Sequence, residues 1–164
     1  MERSFALSPR VENVREVNPV VVPIQFELSE IKNHFDDSLA AIISQFNVVD
    51  DLLSDGKDIE AKNILRSQIV FLDGILDFYL HEMTKYGLYK IFIGDWNRTE
   101  KYKNLAVPMS EVDRALNRPE SKEWFFNYVN SAYSAVVMQD WKVIRDQLNL
   151  ICVEWSAVCD SLHP

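Results

Sequence analysis

The spacing of apolar residues divides the chain near residue 28 into a stretch without period and a long run at helical period. Ile31, Phe35, Leu39, Ile42, Ile43, Phe46 and Val49 recur at three and four residues, which on a 3.6-residue turn makes one apolar stripe and predicts a helix reaching about Leu53. Ser29, followed by Glu30-Ile31-Lys32, supplies a capping residue for it, and Ser54-Asp55-Gly56 ends it. A second helix is expected from near Asp58 to about Tyr86. Its stripe Leu65, Ile69, Leu72, Leu76, Tyr79 and Met83 is expected to face a core. With so short a connection the two long helices should fold back on one another as an antiparallel pair.

Beyond Tyr86 the period breaks. Gly87, Gly94 and Pro108 mark residues 87–110 as an irregular insert. Ser110-Glu111-Val112-Asp113 then resembles a capping box opening a short helix to about Leu116, stopped by Pro119. Ser121 caps a helix with Trp124, Phe125, Tyr128, Val129, Ala132 and Val136 inward, and a last stripe runs through Trp141, Ile144, Leu148, Ile151, Trp155, Val158 and Leu162. Residues 1–27 hold Pro9, Pro19 and Pro23 around Val20-Val21-Val22. They read as an extended arm laid over helices, because each Val left in water forgoes ~1.5–3 kcal/mol of burial; a disordered leader is the other reading. The expectation is an all-α helical bundle in one domain over residues 28–164.

Charge narrows the partners. Seventeen basic against twenty-five acidic side chains leave 17 − 25 = −8, so the molecule as a whole repels polyphosphate and any nucleic-acid contact must be a local basic patch. At 164 residues and 48% hydrophobic content one core is expected. No apolar run approaches the ~20 residues that span a bilayer and no signal-type segment follows Met1, which implies a soluble, cytoplasmic protein without membrane contact. Cys152 and Cys159 fall on one helical pattern; at ~1.5 Å rise they lie ~10 Å apart, too far for a disulfide, and read as small buried residues in a reducing compartment.

Arg66 to Met83, with Arg-x-x-Ile-Val on entry and Leu-Asp-x-Tyr-x-His-Glu on exit, resembles the RiboL-PSP-HEPN group of the HEPN superfamily. The resemblance covers roughly Ser29 to Leu162 and is most specific in that segment. It implies an HEPN-like helical fold, a place in RNA metabolism, toxin–antitoxin or antiphage defence systems, and a homodimer. In such ribonucleases an Arg followed by four to six residues and a His does the chemistry, the imidazole exchanging a proton and the guanidinium holding the phosphate. That motif is absent here. The windows before His34, His81 and His163 hold Glu27-Leu28-Ser29, Gly74-Ile75-Leu76 and Ser156-Ala157-Val158, and Arg66 and Arg145 are followed at five residues by Phe71 and Leu150. The family's catalytic helix would follow Asp146–Ile151 and Trp155. Either that helix lies beyond this chain, making it a metal-independent endoribonuclease lacking its catalytic element, or the chain is a non-catalytic interaction or RNA-associated module.

Two clusters remain as candidate chemistry. Asp73, Asp77, His81 and Lys85 recur at four and share a helix face. Asp73, Asp77 and His81 are the catalytic candidates, the resemblance implying that a carboxylate of this row orients an active-site Arg; the plainer reading is a solvated helix face. They complete no metal site, and no cofactor is implied. The stretch from Lys85 to Lys103 holds five cations against Asp95 and Glu100, a local +3 interleaved with aromatics. Lys90, Trp96, Arg98, Lys101 and Lys103 are the RNA-binding candidates, through phosphate pairing and base stacking, against a loop anchored by Phe92 and Trp96 with its lysines in water. A small-molecule site lined by Trp124, Phe125, Phe126 and Tyr128 is a third reading. The stripe at Trp141, Ile144, Leu148, Ile151 and Trp155 is expected to meet a second subunit or another protein partner.

Overall fold

The computed structural model describes residues 27–162, which form helices and no strand. The arm assigned to residues 1–27 lies, except for Glu27, outside the described residues, as does His163. In chain order the elements are α1 Leu28–Ser44, α2 Phe46–Ser54, α3 Asp58–Ile93, α4 Glu100–Lys103, α5 Met109–Asn117, α6 Glu123–Tyr133, α7 Trp141–Leu150 and α8 Trp155–Leu162.

The first helix starts on Glu27 rather than Ser29. The Glu27 amide donates to the Glu30 carboxylate at 2.7 Å, which satisfies one of the donors a helix start leaves open. The expected single helix to Leu53 is broken at Gln45. There the Gln45 amide turns to the Ile42 carbonyl at 3.1 Å, and the same carbonyl accepts from the buried Gln68 side chain, also at 3.1 Å. A group 26 residues away thus claims an acceptor that would otherwise continue the ladder. Lys57 closes the turn after α2, and Gly56 sits at φ 73, a left-handed conformation that glycine adopts without steric cost.

α3 is the spine, 36 residues long and therefore ~54 Å from end to end. Its contacts with α1 pair Glu27 with Tyr86, Phe35 with Tyr79 and Ile42 with Gln68, so position rises on one helix as it falls on the other. The helix does not stop at Tyr86. It continues through Gly87 to Ile93 and ends on Gly94 at φ 94, so the irregular insert begins seven residues later than its glycines suggest. Gly87 is inside the helix because something must approach it. A Cβ there would lie 2.6 Å from the Cβ of Ile151 and 3.0 Å from the Trp96 ring.

Around this crossing lies the core of Leu88, Phe125, Tyr128, Val129, Tyr133, Leu150 and Ile151, where the C-terminal half of α3 meets α6 and α7. Phe92 stacks on Phe125 at 4.1 Å between ring centroids. The inner row of α6 is Phe125, Tyr128, Val129 and Tyr133, whereas the anticipated Ala132 is exposed. The last stripe is not one helix. α7 ends at Leu150, Cys152 takes φ 67, and the Val153 amide returns to the Leu148 carbonyl at 2.9 Å, a left-handed helix stop made without glycine. Cys152 and Cys159 are free, and Cys152 is exposed rather than buried.

Candidate functional site

The middle of α3 decides what its polar row can do. From Leu80 to Leu88 every residue but Met83 is buried, and the set includes His81, Glu82, Thr84 and Lys85. Here the helix is covered from the α1 side and from the α6 and α7 side at once, so its polar face is enclosed with its apolar one. The row at four-residue spacing is therefore not a solvated face throughout. Asp73 is exposed and Asp77 half-buried, but His81 and Lys85 are 8% and 5% exposed.

Their bonds are local. Lys85 donates to Glu82 at 2.6 Å, and Thr84 donates to the Leu80 carbonyl at 2.8 Å. His81 Nε2 stands 3.5 Å from the Asp77 carboxylate, and its Nδ1 finds no hydrogen-bond partner among the described residues. A carboxylate beside an imidazole can fix its tautomer. Phosphodiester cleavage needs in addition a cation on the phosphate, and no arginine is bonded to this row among the described residues. Nor do three His, Cys, Asp or Glu side chains gather anywhere in the described residues as a metal would require.

In the basic stretch at the end of α3 and beyond it the lysines are engaged in ion pairs. Lys90 pairs with Asp95 at 3.1 Å and lies over the Tyr86 ring, Lys101 pairs with Asp146 at 2.8 Å, and Lys103 pairs with Glu100 at 2.5 Å. The bond to Asp95 raises the Lys90 pKa above its usual value, and the bond from Lys101 lowers that of Asp146. Arg98 is exposed. Trp96 is half-buried, edge-on to Tyr86 at 5.8 Å, and packs with Phe92 on the core. Thr99 caps α4 and ties it down by donating to the Leu150 carbonyl at 3.0 Å. The candidates run from the end of α3 through the connecting loop into α4, and each lysine faces its own carboxylate.

Comparison of this chain with protein-family models, with curated proteins and with solved structures finds no match.

Two features escaped the sequence reading. The first is an uncovered apolar belt on α3: Ile69, Val70 and Phe71 are 68%, 70% and 57% exposed, and Leu72 and Leu76 are exposed as well. Ile43 and Phe46 on the neighbouring α1 and α2 add to the apolar surface. The stripe expected to face a core is interrupted: Leu65, Tyr79 and Met83 are half-buried, with Tyr79 against Phe35 of α1, whereas Ile69, Leu72 and Leu76 between them are exposed, α6 and α7 covering the C-terminal half of α3. By contrast, the stripe assigned to a subunit contact is largely used inside the chain. Ile151 is fully buried, Ile144, Leu148 and Trp155 are half-buried, and Trp141 is exposed.

The second is a cleft of about 400 Å³ between α5 and α6, lined by Arg114, Asn117, Arg118, Ser121, Glu123, Trp124 and Asn127. Of the four aromatics proposed as a pocket, Phe125 and Tyr128 are core, Trp124 walls this cleft, and Phe126 borders a smaller one of about 260 Å³ with Tyr89. The signal was present as Arg114, Asn117 and Arg118 at three and four residues, matched by Ser121, Trp124 and Asn127 at three.

Proposed function

We propose that this chain is a non-catalytic, HEPN-like interaction module that docks a second copy of itself through the N-terminal half of α3. The observation that carries the reading is the run Ile69-Val70-Phe71-Leu72. Four successive residues sweep about 300° around a helix at 3.6 residues per turn, so α3 is apolar nearly all round at this level, as buried helices are. All four are exposed.

With Leu76, Ile43 and Phe46 they leave on the order of 700 Å² of apolar surface in water at roughly 100 Å² each, of which a second copy covers the part on its own side of α3. Charge favours a copy of the same face. Two α3 helices crossing antiparallel about residue 70 bring Arg66 of one beside Asp73 of the other, and Lys62 beside Asp77, both as opposite charges. The missing Arg and His spacing supports a role without RNA cleavage.

Sedimentation is the test. A dimer is expected at tens of micromolar, and Leu72→Glu with Ile69→Glu should leave a folded monomer, since neither side chain is in the core. Arg66→Glu should weaken the dimer and Arg66→Glu with Asp73→Arg should restore it. A wild-type monomer at roughly 50 μM, where even a weak standard-size interface associates, sinks the proposal.

A further inference from the structure

We propose that the cleft between α5 and α6 is a binding site for a small, flat, ring-bearing anion, a carboxylate or a phosphate monoester. At about 400 Å³ it falls within the ~300–1,000 Å³ range of small-ligand pockets. Its lining has the composition such pockets use, one aromatic wall with a few polar groups converging on it.

The wall is Trp124, half-buried and held from behind by Phe92 and Phe125 at 5.4 and 5.5 Å, edge to face. An indole braced in this way offers a fixed flat contact to a ring. In the same lining, Arg118 makes no ion pair among the described residues, and Arg114 gives only one guanidinium nitrogen to Glu111, at 2.8 and 3.0 Å. Guanidinium groups present planar forks of donors that match carboxylate and phosphate oxygens two at a time. Ser121 accepts from the Glu123 amide at 3.2 Å, which leaves its hydroxyl hydrogen free to donate. Asn117 and Asn127 also line the cleft, with side-chain amides that can pair with polar edges of a ligand.

The lining holds two arginines against one carboxylate, Glu123, in a chain of net charge −8. That balance sets the ligand's size. Glu111 neutralises Arg114 at 2.8 Å, which leaves Arg118 as the cation available to a ligand, and a long polyanion reaches past it into the acidic field of the whole molecule. A compact anion with one charged group is what the site accommodates.

The experiment follows the Trp124 indole N–H resonance of the full chain, assigned with Trp124→Phe, during titration with benzoate, phenyl phosphate, phenol and inorganic phosphate. Benzoate or phenyl phosphate should shift it saturably below about 10 mM, with phenol and inorganic phosphate at least about tenfold weaker, since each lacks one half of the recognition. Whichever ring-bearing acid binds more tightly identifies the natural anionic group. Arg118→Gln, at an exposed position, should weaken that ligand by about tenfold or more, and Glu123→Gln should tighten it. The proposal fails if neither acid shifts the resonance, if phenol binds as well as benzoate, if Arg118→Gln leaves the affinity unchanged, or if Glu123→Gln weakens it. None of these outcomes depends on the oligomeric state.

Discussion

Gly87 is a single residue on which the packing of two helices depends. Alanine there would gain about 1 kcal/mol of helix propensity, but its Cβ would lie 2.6 Å from the Cβ of Ile151, a fully buried side chain that has nowhere to move. Overpacking of that kind costs about 1–3 kcal/mol, so Gly87→Ala is expected to lower the urea midpoint; an unchanged or raised midpoint would show that α7 is free to slide. Lys85 and Glu82 pose the opposite case. Their side chains are both buried at 2.6 Å separation, and removing one partner leaves an uncompensated charge. Lys85→Ala should cost about 3–5 kcal/mol, whereas Lys85→Met with Glu82→Leu should be near neutral or stabilising. Equal losses in the two variants would mean the pair itself, not its burial, sets the cost.

Among the elements, the break at Gln45 shows how a helix end is decided from a distance. Nothing in Ala41 to Val48 forbids a continuous helix, for there is no Gly or Pro; the Ile42 carbonyl is shared instead between the Gln45 amide and the Gln68 side chain. Gln68→Met keeps the volume and loses the bond but also removes a buried amide oxygen without a partner among the described residues, while the Ile42 carbonyl keeps the Gln45 amide, so stability in chemical denaturation should change by less than about 1 kcal/mol. A larger fall would mean that the Gln68 bond by itself holds the break. The end of α3 is the converse. Gly94 at φ 94 is a stop that the sequence displays, whereas Gly87, seven residues earlier, stays inside the helix where Ile151 and Trp96 pack against it.

For the whole molecule, stability against pH has one legible feature. Burial, with a smaller contribution from Tyr128, pushes the Tyr133 phenol from 10.0 up to about 12. In the window between these values the unfolded chain has released the proton that the folded chain retains, so the folded state binds more protons and stability falls as pH rises. Below pH 10 both states hold the proton and the shift has no effect. Denaturation at pH 9, 10 and 11 should show a plateau and then a decline that Tyr133→Phe reduces; a decline of the same size in the variant would assign it to Tyr102 and Tyr128, whose phenols burial also raises.

Periodicity and capping residues were sufficient for the all-α class and for where α1, α3, α5, α6 and α7 begin to within about two residues, and the residue identities alone show that no Arg and His stand at the family spacing. Each depends on residues within a few positions of one another. Which stripe is covered was beyond its reach, because Leu72 and Leu88 look alike along the chain and differ only in whether α6 and α7 lie over them. The same holds for the polar row. Asp73 and Lys85 share a face in sequence, yet one is in water and the other enclosed, since burial depends on what folds back from 40 to 70 residues away. The cleft of Arg118 and Trp124 was likewise a tertiary result: a helix end and a helix start had to meet before their side chains faced one space.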